Sequence, residues 1–371
     1  MSTTTTSTST PVASTTSTAT GRPTRGVRFS ADLRSFLVAV IGAAVMLAWA
    51  FQSGFNRDLL LLTATYALIA LGMYVPFVLV GRLSLAYGSY AAIGAYAVAI
   101  VATETEWPLI VAWFIGAAIS VVVGVVLGAA TARLSTWYLA SATILFSTAF
   151  LSWLGDAVEI SGGAAGIGGI RPLEMFGWTL TRDQSLFAAA VLVLLIGLGL
   201  DRLRLSPWGV TVRSIREVPL VVETSGMRVT WLVLIALGLG AGIASLSGAL
   251  FASSVGSITP ETFTIAIVFL ALFMPLLGGV GTPWGAVLGA AIVVQLTLNA
   301  SNLSSSGTLI LSVGVILMLL VSPNGILTLL DRARHLVLDR RRGARPEEVA
   351  ACPPRPRRPT PRPRGCSRDP G

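Results

Sequence analysis

Histidine and cysteine, common in catalysis and metal binding, are nearly missing from this chain, and the few present sit together. The single histidine is His335 and the two cysteines are Cys352 and Cys366, all in a carboxy-terminal stretch rich in proline and arginine. Lysine is absent: all 26 basic residues are arginine. A GxxxxGK[ST] phosphate loop needs its lysine, so the chain has no such means of hydrolysing ATP. Histidine acid–base chemistry and His/Cys metal sites cannot be built anywhere before His335, and no cofactor motif is present. What remains is hydroxyl groups set among small residues. The stretch Pro76 to Tyr96, PFVLVGRLSLAYGSYAAIGAY, ends one apolar run, passes Arg82 and starts another. Ser84, Gly88 and Ala92 fall on one helical stripe, and Ala91, Ala95 and Ala99 on its neighbour. In lipid, small-xxx-small stripes let helix backbones approach until dispersion holds them together. Such a helix belongs at the packed centre of a bundle and can leave room for a solute.

The elements that position these residues follow from composition. The chain has 371 residues, 54% hydrophobic and 12% charged, with mean hydropathy +0.78. Soluble domains are about 25% charged. This shortage of charge, with apolar runs of about 20 residues, defines a polytopic membrane protein, all-α. The net charge of +9 is localised: from Asp331 onward 12 arginines face five acids, whereas the preceding 330 residues carry 14 arginines and 12 acids. A basic tail on a nearly neutral membrane body fits anionic lipid or the positive-inside signal rather than nucleic acid. A disulfide between the tail cysteines would have no core to staple.

Residues 2–20 contain 15 serines and threonines, a composition with nothing to bury. With Arg22, Arg25, Arg28 and Arg34 they form an amino-terminal segment, 1–35. A membrane domain follows over 36–330, and a Pro/Arg-rich tail over 331–371. Ten apolar runs predict about ten transmembrane helices, near 36–52, 59–80, 83–103, 107–131, 137–155, 185–200, 231–255, 263–280, 284–299 and 307–322. Ala48-Trp49-Ala50 has the form of a leader cleavage site, but the first run is long and its basic leader extended, so it reads as a retained span. With the amino terminus cytoplasmic, the inner loops hold Arg22, Arg25, Arg28, Arg34, Arg82, Arg133, Arg202, Arg204, Arg213, Arg216 and Arg228. The outer loops hold only Arg57, Arg171 and Arg182. The positive-inside rule therefore predicts cytoplasmic termini.

Two loops are long. The outer one, Asp156 to Gln184, contains ISGGAAGIGGI, whose glycines disfavour a helix and predict a tight, backbone-dominated loop at the outer mouth. The inner one spans 201–230. Ser206 and Pro207 form an N-cap and first-turn pair, Pro219 opens a second short helix, and Gly226 suits its end. Val212, Ile215, Val218, Leu220 and Val221 supply apolar contacts, while Arg213, Arg216, Glu217 and Glu223 supply exposed charge. These amphipathic helices either rest on lipid headgroups or dock a cytoplasmic partner. A second glycine-rich stretch, Pro275 to Ala291, predicts a re-entrant turn at Gly278, Gly279 and Gly281, with Thr282 and Pro283 opening the next helix. Charged residues hardly occur inside the spans, whereas ion-coupled carriers need an intramembrane ionisable group.

The motifs YALIALG at Tyr66–Gly72, GRLSLAYGSYAAIGAY at Gly81–Tyr96, ISGGAAGIGGI at Ile160–Ile170, VRSIREVPLVVETSGM at Val212–Met227, and LGGVGTPWGAVLGAA with SPNGIL resemble a known family in order and spacing. It is the membrane permease subunit of branched-chain amino-acid ABC importers, of the LivM type. The resemblance implies a second homologous permease subunit, two cytoplasmic ATP-binding subunits and an extracytoplasmic solute-binding protein as partners, with membrane lipid around them. It implies that Arg213, Arg216, Glu217, Glu223 and Gly226 belong to a coupling segment seated on the ATPase. It also implies that the helix after Arg82 lines the translocation path, with Ser84, Tyr87, Gly88, Ser89 and Tyr90 the candidate lining. Where the family reads Gly-His-Ala-Ala-Phe, this chain has Ala86-Tyr87-Gly88-Ser89-Tyr90; where it reads Glu-Ala-Leu-Gly, this chain has Glu223-Thr224-Ser225-Gly226. Relatives carrying urea or short amides share the architecture, so the solute stays open between these and branched-chain amino acids. A stand-alone channel or secondary carrier, and a structural or assembly protein, are readings of a different class.

Overall fold

A computed structural model describes residues 51–301 except 52, 106, 133, 135, 172, 173, 176, 177, 180 and 280, together with positions 42, 46, 47 and 49. Eight of the ten apolar runs fall on helices: α1 Gly54–Met73, α2 Tyr87–Glu104, α3 Leu109–Ala130, α4 Thr136–Asp156, α5 Arg182–Leu205, α8 Val229–Val255, α9 Ile265–Gly278 and α10 Pro283–Ser301. Two short helices, α6 Pro207–Glu217 and α7 Pro219–Thr224, occupy the predicted inner loop. Most of the first run, and all of the tenth, lie outside the described residues, as do both termini.

Six helical segments among the described residues are long and apolar enough to cross a membrane. Helix α2 is not one of them, although it lies at the centre: 12 of its 18 residues are buried. Tyr87, Ser89, Tyr90 and Tyr96 lower its hydropathy, and protein neighbours rather than lipid surround it. Helix α8 is the hub and packs most extensively on α3, α2 and α1. Burial separates core from rim, covering 83% of the α1 span but 28% of α3, α4 and α5. The exposed side chains of the rim are apolar, among them Phe114, Val122, Leu145, Val191 and Leu195, as lipid-facing surfaces require.

Glycines bring α8 close to its neighbours. Gly248 lies against Ala91 of α2, where an added methyl would overlap the Ala91 carbonyl oxygen; Gly94 of α2 meets the Ser245 carbonyl in the same way. The Ala91–Ala95–Ala99 stripe is wholly buried there. The stripe beginning at Ser84 is shorter than predicted. Residues 81–86 are not helical, and α2 starts only at Tyr87.

Contacts between loops sort the bundle into two ends. Arg57 pairs with Asp183 at 2.9 Å, Arg171 donates to the Ala102 and Thr105 carbonyls, and Ile167–Gly168 pairs antiparallel with Ser257–Ile258. At the other end Arg82 donates to Leu134, Arg204 to Gly281 and Arg216 to Val78. No contact among these joins loops that the alternating spans would put on opposite sides.

The α2–α8 crossing predicts a contrast between two glycines. Gly248→Ala should destabilise the detergent-solubilised protein by about 1–3 kcal/mol, the usual cost of overpacking. Gly199→Ala, on α5 with nothing within 4 Å of the added methyl, should be neutral or stabilising by up to roughly 1 kcal/mol. Thermal melting compares them, and equal melting temperatures would refute the close approach.

Candidate functional site

The site begins where α1 breaks. Pro76 has no N–H to offer the Gly72 carbonyl four residues earlier, and its ring crowds that turn. The helix widens there into a π-helical segment, Tyr74–Val80, as such breaks commonly do. Gly81 closes the segment in the left-handed region, with φ 78°, which glycine adopts without steric cost. The amides of Gly81 and Arg82 both turn back to the Pro76 carbonyl. Residues 81–86 then run without helical bonds to the start of α2.

Buried irregular backbone persists only where protein satisfies it. Ser84, Leu85 and Ala86 are buried, and the Leu85 amide donates to Thr143 Oγ1 of α4 at 2.8 Å. The Thr143 hydroxyl donates in turn to α4 carbonyls at 2.9 Å and 3.0 Å. The Gly72 carbonyl accepts from the Tyr87 hydroxyl at 3.4 Å. Arg216 of α6 donates to the Val78 carbonyl at 2.8 Å, and Arg82 to the Leu134 carbonyl at 3.1 Å. The Leu85 amide and the Gly72 and Val78 carbonyls thus find partners from other elements.

The candidate lining residues cluster at this break. Tyr87 and Ser89 are 0% exposed and Tyr90 is 2% exposed. The Ser89 hydroxyl lies 2.9 Å from that of Ser147 on α4, and Ser120 of α3 donates to the Tyr90 carbonyl at 3.3 Å. The rings of Tyr87 and Tyr90 meet edge to face, with centroids 5.7 Å apart. Gly88 faces the Phe263 carbonyl and Val268, which leave no room for a larger residue. In this conformation the Tyr87 and Ser89 hydroxyls are engaged between helices. Ser147, Thr143 and Ser120 were not singled out from sequence. Each lies in an apolar run without a distinguishing neighbour, and only the crossing of α3 and α4 with α2 brings them in.

The inner-loop residues form a second group. Ser206 caps α6, accepting from the Gly209 amide at 3.2 Å, with Pro207 in the first turn. Gly209, Val212 and Ile215, at helical spacing, are buried against the bundle. Pro219 opens α7 and Gly226 follows it with φ 82°, its amide donating to the Glu223 carbonyl. Arg213, Glu217 and Glu223 are exposed. Two expectations differ from the structure. Helix α5 continues to Leu205, so the loop starts later than residue 201. Val218 ends α6 and is 49% exposed instead of packed, because α6 stops there and Pro219 starts a new direction. Arg216 counts as exposed, yet its guanidinium reaches inward to Val78. At the second glycine-rich stretch, α9 ends at Gly278, Gly279 has φ 117°, and Pro283 opens α10, which packs back on α9 as a hairpin.

A family model described as branched-chain amino acid transport system / permease component matches residues 57–322. The high-affinity branched-chain amino acid transport system permease protein LivM of Escherichia coli K12 is 30% identical over 317 residues, covering 79% of this chain and 74% of that protein. LivM of Salmonella typhimurium is 29% identical over the same shares. LivH of Escherichia coli K12, a permease protein of the same named transport system, is 25% identical over 290 residues, 72% of this chain and 92% of that protein. No solved structure matches.

The Leu85–Thr143 bond gives a direct prediction. Thr143→Val keeps the shape but leaves a buried amide without its acceptor, at a cost of about 1–3 kcal/mol. Thr143→Ser should retain most of the stability. A thermal-melting series placing Val level with Ser would show that the break does not depend on this partner.

Proposed function

The chain belongs to the family of branched-chain amino acid transport permease components, and from that premise we propose that it moves branched-chain amino acids as the membrane subunit of an ATP-driven importer. The similarity to both LivM and LivH, permease proteins of one named transport system, supports a partnership with a second, related permease. Two cytoplasmic ATP-binding subunits and an extracytoplasmic solute-binding protein complete the assembly. The membrane domain is 36–330, flanked by the amino-terminal segment 1–35 and the tail 331–371. The end of the bundle carrying Arg82, Arg204 and Arg216 faces the cytoplasm, as the arginine imbalance favours.

The observation that carries the reading is the α6–α7 unit at that end. It is anchored by Val212 and Ile215 and presents Arg213, Glu217 and Glu223 outward. An apolar anchor with charge displayed opposite suits a docking surface whose partner is itself charged and mobile. Movement of the ATPases would displace α6 and α7, and the displacement would reach the closed junction of α2 with α4. There Ser84, Tyr87, Gly88, Ser89 and Tyr90 would separate from their partners and expose hydroxyls and backbone to the solute. An amino acid, with ammonium and carboxylate groups and an apolar side chain, suits a path offering neutral hydroxyls, carbonyls and aromatic edges. A fixed charge there would hold the solute instead of passing it. The same lining suits urea or a short amide, and the solute-binding protein decides between them.

Affinity purification of the chain in mild detergent should recover an ATP-binding subunit and a second permease. Calorimetry on the associated binding protein should show leucine, isoleucine or valine as its ligand; a ligand restricted to urea or an amide would move the assignment to that branch. Glu223→Arg should insert normally yet lose ATP-dependent uptake, to below about a tenth of the unmodified rate if about 1.4 kcal/mol or more of docking is lost. Undiminished uptake by this variant would remove α7 from the docking surface.

A further inference from the structure

Arg216 stands apart from the other charges of α6. It is exposed like its neighbours Arg213 and Glu217, but its guanidinium donates to the Val78 carbonyl at 2.8 Å. The aliphatic stem of Arg216 also lies on Gly81, with Cγ 3.0 Å from where a Cβ on that glycine would sit. Both contacts fall on the break. Val78 belongs to the π-helical segment, and Gly81 is the left-handed residue that ends it. A guanidinium suits this place. It keeps its charge in any environment, presents several donors in a rigid fork, and is attracted to the negative end of a helix. Behind Gly81, residues 81–86 lead to α2 and to Tyr87, Ser89 and Tyr90. A single side chain therefore joins the amphipathic helix at the membrane surface to the hinge from which the buried polar junction hangs.

We infer that Arg216 is a positioning residue that transmits movement of α6 to the Gly81 hinge, holding the α1–α2 break closed while its bond to the Val78 carbonyl is made. The inference rests on the permease reading above and adds the element through which docking reaches the path. When α6 shifts away, the bond to the Val78 carbonyl breaks and the 81–86 segment loses its closed geometry. Removing the guanidinium uncouples the two: α6 still engages its partner through Arg213, Glu217 and Glu223, but the hinge no longer follows.

The test uses the full complex in proteoliposomes with Arg216→Ala and Arg216→Lys. In the alanine variant the amount of co-purified ATP-binding subunit stays as in the unmodified complex, while the number of ATP molecules hydrolysed per solute imported rises about tenfold or more. That factor corresponds to about 1.4 kcal/mol, near the lower end for a charged donor. Lysine, which keeps a charged donor but not the fork, restores the ratio in part. A second measurement needs no partner. With Cys352 and Cys366 replaced by serine, Ser84→Cys probes a position that is 1% exposed, and its labelling by N-ethylmaleimide should accelerate about tenfold in the Arg216→Ala background. An unchanged transport ratio, loss of the ATP-binding subunit from the alanine variant, or unchanged labelling of Ser84→Cys would each overturn the latch. Failure of the unmodified chain to recover any ATP-binding subunit would instead sink the importer reading, and the labelling rate would then decide the latch alone.

Discussion

Every backbone amide and carbonyl in a membrane bundle must find a protein partner, because lipid offers none. The structure depends on how this is met where helices break or end. At the α1 break, Pro76 widens the helix and Gly81 reverses it. Thr143, Tyr87 and Arg216 then supply bonds to the broken segment from three different elements. Elsewhere arginine serves the same purpose: Arg204 caps the α9–α10 turn at Gly281, and Arg171 caps the end of α2 at Ala102 and Thr105. The absence of lysine from the whole chain accords with this use. A guanidinium can serve two carbonyls at once, as Arg171 does, where an ammonium presents a compact charge that water holds more tightly.

Much of this was legible in the sequence. Apolar runs of membrane-spanning length located eight described helices, and the local signals at Ser206, Pro207, Pro219 and Gly226 marked the two short helices to within a residue or two. The Ala91–Ala95–Ala99 stripe read correctly as a packing face. The start of α2 was missed because Leu83 and Leu85 are as apolar in a buried extended segment as in a helix, so periodicity could not see residues 81–86. The inward turn of Arg216 was missed for a related reason. Helical spacing places it beside Arg213 and Glu217 on the polar face, and a long side chain can leave that face along its stem. Partners distant in sequence, such as Ser89 with Ser147 or Ile167 with Ile258, carry no local signal at all.

The two candidate regions are thereby connected. The polar junction at Tyr87, Ser89 and Tyr90 is closed by contacts with α1, α3 and α4, while the charged face of α6 and α7 lies at the bundle's end. The break that the bilayer forces the protein to satisfy lies between them. A segment held by a few hydrogen bonds to several elements is also one that can be released by moving those elements, without unfolding any long helix. In the proposed cycle residues 81–90 move, while α8, with its close glycine contacts, serves as the frame.

In the proposed cycle the α2–α4 junction opens during transport, and a cross-link across it should prevent that opening. In a chain whose native cysteines are replaced by serine, Ser89→Cys together with Ser147→Cys puts two thiols where hydroxyls now lie 2.9 Å apart. Oxidation should join α2 to α4 and stop ATP-dependent uptake of leucine by the reconstituted complex, and dithiothreitol should restore it. Uptake at the reduced rate by protein that is fully cross-linked would show that this junction stays closed throughout the cycle and that the solute takes another route.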